Sequence, residues 1–190
     1  MYKLLTLVTI ILLIASCGGP KKETPNKPAT ITTTPTFEAT TKIVGAMTVA
    51  SIAKKGPYND VGKTIGELMT WVMTKKIIPK GNPFGVYYDE PEKVPPESMR
   101  YEVCLPVSKE IKSDNVIKVK DLPEMEVVST IYMGPYDKVG PTYGQLMTWV
   151  TEKGYVISGP AREIYMSNSS STPTESLKTE IQFPIKKKTQ

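Results

Sequence analysis

The chain has 190 residues, a formal net charge of +5, no histidine and two cysteines. Its length and a hydrophobic content of 39% fit one domain or two small ones with an ordinary core. The missing histidine excludes His-ligated metals, His-held haem and Ser–His or Cys–His nucleophile pairs, so chemistry must run on carboxylates, tyrosines and lysines.

Residues 1–16 read as a signal peptide. Lys3 supplies a short positive start, Leu4 to Ile14 an apolar run, and Ile14-Ala15-Ser16-Cys17 small residues before a cysteine. The apolar run is shorter than the roughly 20 residues a membrane span needs. The segment resembles a bacterial lipoprotein signal. That resemblance implies a lipidated Cys17 and an extracytoplasmic protein anchored in the cell envelope. Gly18 after Cys17 suits the outer membrane if the host has two.

Residues 17–40 are rich in Lys, Thr and Pro and are expected to form an extended tether, with folded structure setting in near Phe37 and the domain proper assigned to residues 41–190. Cys104, left alone once Cys17 is lipidated, reads as a buried structural thiol in an apolar strand. The run Lys186-Lys187-Lys188 reads as a solubilising tail. No basic stripe interleaved with aromatics accompanies it, so no nucleic-acid partner is expected.

One sentence is written twice. GPYNDVGKTIGELMTWV begins at Gly56 and GPYDKVGPTYGQLMTWV at Gly134, a shift of 78 residues. At the same shift Gly81 meets Gly159, Tyr87 meets Tyr165, Glu102 meets Glu180 and Pro106 meets Pro184. The chain is therefore read as two copies, 41–111 and 119–188, of one supersecondary unit. In each copy a β-branched run (KIVGAMTVASI, EMEVVSTIYM) predicts a strand. A helix follows, capped by Asp60 or Asp137. Its apolar stripe is Val61, Ile65, Leu68 and Val72 in one copy and Val139, Tyr143, Leu146 and Val150 in the other. FGVYYD and REIYMS predict a second strand, RYEVCLPV and KTEIQFPI a third. The predicted fold class is α+β: two tandem β-α-β-β repeats side by side in an antiparallel sheet with both helices on one face.

Gly-Pro-Tyr, a Trp-bearing helix, a Tyr-bearing strand and a strand ending in Pro-Val or Pro-Ile, twice over, resemble the GyrI-like small-molecule-binding family, whose fold also serves as the effector-binding domain of AraC- and MerR-type activators. The resemblance implies that the repeats pack about a pseudo-twofold and leave a groove between the two helices over the sheet, for ligands that are often flat, apolar and cationic, held by aromatics and by the acid of a Glu-x-Tyr motif, here Glu163-Ile164-Tyr165. Independently of it, Glu163 aligns with Gly85 in the first copy, so the copies diverged there from no side chain to a carboxylate. A charge on a middle strand is costly unless compensated, by a ligand cation, by Arg162 or by a tyrosine hydroxyl. Trp71 and Trp149, at matching helix positions, are candidates to sandwich a planar ligand, or else core. Tyr58 and Tyr136 follow Gly-Pro at the helix starts, and Tyr87, Tyr88, Tyr132 and Tyr143 are further wall candidates. Gly62, Gly66, Gly140 and Gly144 argue for close helix–helix or helix–sheet approach, or for room over a ligand. Glu102 and Glu180, alike in both copies, read as scaffold, with the option that one converges on Glu163.

The expected ligand set is Glu163, Tyr165, Trp71, Trp149, Tyr58 and Tyr136, with no metal and no cofactor. The expected partners are a small aromatic or cationic molecule and, through the lipid anchor, the membrane. Two alternatives stand beside this binder. One is a hydrolase of strained electrophiles in which Glu163 serves as base. The other is a structural envelope lipoprotein whose groove is filled by its own side chains.

Overall fold

The computed structural model describes residues 37–188. The predicted signal peptide, Cys17 and most of the predicted tether lie outside the described residues. The elements are β1 (Thr40–Val44), β2 (Met47–Lys55), α1 (Val61–Thr74), β3 (Phe84–Tyr87), β4 (Arg100–Pro106), β5 (Lys118–Leu122), β6 (Met125–Met133), α2 (Gly140–Glu152), β7 (Tyr155–Ile157), β8 (Ala161–Tyr165) and β9 (Lys178–Lys187).

The fold is α+β, an antiparallel sheet carrying two helices. Eight strands run β1-β6-β9-β8-β3-β4-β2-β5, and β7 pairs with the end of β9. Ladder pairs recur at the sequence shift of 78. Val49 faces Pro106 as Val127 faces Pro184, and Phe84 faces Cys104 as Arg162 faces Gln182.

The predicted opening strand of the first half is two strands, broken at Gly45-Ala46. β1 leaves its own half to pair with β6, and β5, which the sequence reading lacked, pairs reciprocally with β2. β5 reads Lys-Val-Lys-Asp-Leu and is largely exposed. Charges suit a sheet edge, where they discourage further pairing, and they also hide the strand from a search for apolar alternation. Residues 37–39 belong to the folded part as well. Phe37 and Ala39 pack against the core under α2, and the Thr130 hydroxyl donates to the Glu38 carbonyl at 2.6 Å.

Helix α1 buries Val61, Thr64, Leu68 and Val72 against Ala50, Ile52, Val103 and Leu105. Helix α2 buries Leu146 and Val150 against Val128, Ile181, Phe183 and Ile185. Directly opposed residues in an antiparallel ladder share a face. Val103, Gly85, Glu163 and Ile181 form one row across the four central strands, so Glu163 shares a face with the side chains that pack on the helices. The other face carries Val49, Phe84, Val86 and Cys104. Cys104 is fully buried there, and burial pushes its thiol up to about 12.

Both helices start from a 3-10 turn, Tyr58–Asp60 or Tyr136–Lys138, and neither start carries a side-chain cap bond, so the expected caps at Asp60 and Asp137 are not formed. The repeated glycine ahead of each turn has a conformational cause: Gly56 and Gly134 sit at φ 148° and 141°, which favour glycine. The helix glycines 62, 66, 140 and 144 correct a second expectation. All four are exposed, and an added Cβ would meet nothing within 4 Å, so no backbone approaches them closely.

Candidate functional site

β8 and β3 meet at the centre of the sheet, with Glu163 directly opposite Gly85. The two positions are also each other's counterparts in the repeat. Side chains so opposed lie about 4.5–5.5 Å apart at Cβ, and two like charges there would repel. A second acid directly opposite Glu163 is therefore disfavoured. Glycine does more than avoid one: an added Cβ at Gly85 would lie 2.8 Å from Tyr87 Cε2 and 2.9 Å from Tyr165 Oη. The vacancy above Gly85 is where the two tyrosines meet.

Glu163 is 8% exposed. Tyr143 of α2 donates to its Oε1 at 2.8 Å, and Tyr87 of β3 donates to its Oε2 at 3.1 Å. Tyr165 lies 3.4 Å from the same Oε2, and its hydroxyl is hydrogen-bonded to that of Tyr87. Burial pushes the Glu163 carboxyl above the usual carboxylate range, against the three tyrosine hydrogen bonds, which pull it down. Burial, and then the neighbouring tyrosine or Glu163 itself, raises Tyr87, Tyr143 and Tyr165 well above the ordinary phenol value, so all three remain hydroxyl donors.

The next shell is aromatic and nearly symmetric. Tyr58 meets the Tyr87 ring edge-on at 4.8 Å, and Tyr136 meets Tyr165 the same way at 5.5 Å. The Tyr58 hydroxyl donates to the Asp89 carbonyl at 2.6 Å and accepts from the Asp89 N–H at 3.1 Å, which ties the loop after β3 to the start of α1. Tyr136 is 37% exposed and forms part of the rim.

Of the expected set, the fold thus brings together Glu163, Tyr165, Tyr58 and Tyr136. The tryptophans are placed elsewhere. Trp71 packs on the first core and donates its indole N–H to Asp114 at 2.6 Å. Trp149 stacks on Tyr155 at 6.3 Å and lines an open hollow of about 550 Å3 with Phe37, Pro141, Gly144 and Gln145. Neither indole bonds to Glu163. The direct donors Tyr87 and Tyr143 had been no more than wall candidates. Tyr143 could have been singled out, because its counterpart in the repeat is Ile65: the acid and its α2 donor appear together, in the same half, at two columns where the copies differ.

The remaining acids do not converge on this site. Glu102 and Arg162 share a row on the opposite face, as do Glu180 and Phe84. Lys120 holds Glu102 at 2.7 Å and Lys42 pairs with Glu180, which makes both carboxylates scaffold. Tyr88 serves Glu102 at 3.0 Å, and Tyr132 closes its own turn on the Pro135 carbonyl at 2.9 Å. Arg162 points away from Glu163 and does not neutralise it. Among the described residues no group of three potential metal ligands occurs, and no helix is long and apolar enough to cross a membrane.

The arrangement has relatives. The chain is 28% identical over 129 residues to the DNA gyrase inhibitor of Escherichia coli (strain K12), covering 65% of this chain and 82% of the relative. The EcmrR C-terminal domain is 26% identical with a TM-score of 0.73, covering 80% of this chain and 99% of that one. The EcmrR chain in a complex with DNA matches at a TM-score of 0.72, and there the match spans 58% of that chain. That finding overturns the expectation that nucleic acid has no place among the partners, which rested on the absence of a basic stripe. The structure of SAV2435 bound to tetraphenylphosphonium shares the fold at 15% identity and a TM-score of 0.51, covering 79% of this chain and 94% of that one. The family model described as the GyrI-like small molecule binding domain matches residues 40–186, and the chain belongs to that family.

Proposed function

We propose that this small-molecule-binding domain takes aromatic cations, with Glu163 as counter-charge and the surrounding tyrosine rings as walls. The observation that carries the reading is a buried carboxylate inside a shell of tyrosines, with no cation of the described residues bonded to it. Such a group is costly without a partner, and a ligand cation supplies one. Tyrosine faces add cation–π attraction of about 0.5–2 kcal/mol per ring. Little of Glu163 is exposed, so the rim at Tyr136 has to move to admit a ligand. The two halves are read as duplicated modules about a local twofold at Gly85 and Glu163, with the ligand groove above that axis between α1 and α2. Both oxygens of Glu163 already accept tyrosine hydrogen bonds, which favours electrostatic holding over the base role of the hydrolase alternative.

Tetraphenylphosphonium and tetraphenylborate have one shape and opposite charge, and calorimetric titration of both separates charge from shape. The cation is expected to bind at least about tenfold more tightly, a difference of about 1.4 kcal/mol. Equal affinities, or preference for the borate, would remove the role given to Glu163.

The domain is further proposed to sit outside the cytoplasm, held at the envelope by lipid on Cys17. Radiolabelled palmitate fed to expressing cells should enter the wild-type chain and not Cys17→Ser. Label retained in the variant counts against the anchor.

A further inference from the structure

β8 carries a buried charge on each of its faces. Glu163 belongs to the helix-bearing face; its neighbour Arg162 belongs to the other and is 7% exposed. Arg162 stands opposite Val86 on one side and Gln182 on the other, and its guanidinium lies 5.6 Å from the centre of the Phe84 ring. Its Nε has no hydrogen-bond partner, and no ion pair among the described residues includes it.

The acids of this face are already taken. Glu102 is held by Lys120 at 2.7 Å and accepts from Tyr88 at 3.0 Å, while Glu180 is held by Lys42. Two lysines balance two glutamates, and the Arg162 charge is left over. The repeat shows that the scaffold does not need a charge in this column, since the counterpart of Arg162 is the buried Phe84. A buried guanidinium that the fold neither pairs nor requires calls for a partner from outside.

We propose that Arg162 anchors a second binding site, on the sheet face away from the helices, for a small carboxylate or phosphate-type anion. The planar guanidinium fork matches either group with two parallel N–H···O bonds. The Phe84 ring offers an apolar wall beside it. Lys42 and Lys120, at symmetric positions on either side, hold Glu180 and Glu102 and so keep both acids from competing for the guanidinium.

The test follows thermal unfolding of the full-length chain in sodium acetate, sodium phosphate and sodium chloride at one ionic strength. In the wild type, acetate or phosphate should raise the midpoint saturably by about 3–6 °C over chloride, the shift expected from a ligand at roughly ten times its Kd. The better of the two identifies the anion class. Arg162→Met should lose that response, and its midpoint in chloride should equal or exceed that of the wild type, because an unpartnered charge has gone. The same anion response in Arg162→Met overturns the proposal, and so does a wild type whose midpoint follows ionic strength alone. The wild-type arm decides the matter even if Arg162→Met does not fold.

Discussion

Replacing Glu163 by glutamine is expected to weaken tetraphenylphosphonium binding by about 100-fold and, at neutral pH, to make the unliganded protein more stable. The loss follows from removing one member of a desolvated charge pair, which costs about 2–5 kcal/mol, with each 1.4 kcal/mol a factor of ten. The gain follows from the same burial. Removing water from around Glu163 raises its carboxyl pKa above the unfolded value, although three tyrosines donate to it or lie close by. A carboxyl raised in the folded state stabilises the fold fully below its unfolded pKa and loses that contribution as pH rises through the folded value. At neutral pH the wild type therefore carries an uncompensated penalty that glutamine removes, while the tyrosine hydroxyls can turn to accept from the new amide.

Binding has the opposite pH dependence. The cation needs the ionised acid, so affinity falls as pH drops through the raised pKa, in the range where the free protein gains stability. Calorimetric titrations and unfolding midpoints across that range, for wild type and variant, check both signs. A variant that binds as well as the wild type refutes the carboxylate's role. A variant less stable at neutral pH refutes the account of its burial.

Gly85→Ala is expected to destabilise the fold by about 1–3 kcal/mol and to disturb the site. The added methyl would stand 2.8 Å from Tyr87 Cε2 and 2.9 Å from both Tyr87 Cζ and Tyr165 Oη. Neither ring can yield cheaply. Tyr87 is wedged against Tyr58 and bonded to Glu163, and Tyr165 is buried and packed against Tyr136. The hydrogen bond between the two hydroxyls lies over this spot, so moving either ring also loosens the hold on Glu163. The midpoint should fall by about 2–12 °C, and tetraphenylphosphonium affinity should fall with it. An alanine variant with wild-type stability and affinity would show that the close approach over Gly85 is not required.

Much of this architecture is legible in the sequence because the sequence states it twice. The apolar spacing of Val61, Leu68 and Val72, matched by Leu146 and Val150, gives both helices and their inward faces. The β-branched runs give the central strands. Glu163 stands out because its counterpart is Gly85, and period-two alternation puts Tyr165 on its face. Other features gave no such signal. β1 and β5 are short edge strands whose exchange between the halves is decided by partners distant in the chain. The helix glycines gave a misleading one: their spacing suggested close contact, yet they look outward. The tryptophans mark the repeat, but their positions beside the apolar stripe did not say which way each indole turns.

By itself, then, the sequence determined the duplicated pattern of central strands and helices, the inward faces of the helices and the acid, Glu163, that stands where the first copy has Gly85. Local periodicity and side-chain chemistry suffice for those. The tertiary structure decided that Glu163 and Gly85 face each other, that Tyr87, Tyr143 and Tyr165 gather on the acid while both indoles stay away from it, and that Arg162 lies unpaired on the far side of the sheet. Those relations depend on the register between strands from different halves, which no local pattern encodes. A shift of one residue would have turned Glu163 to the other face.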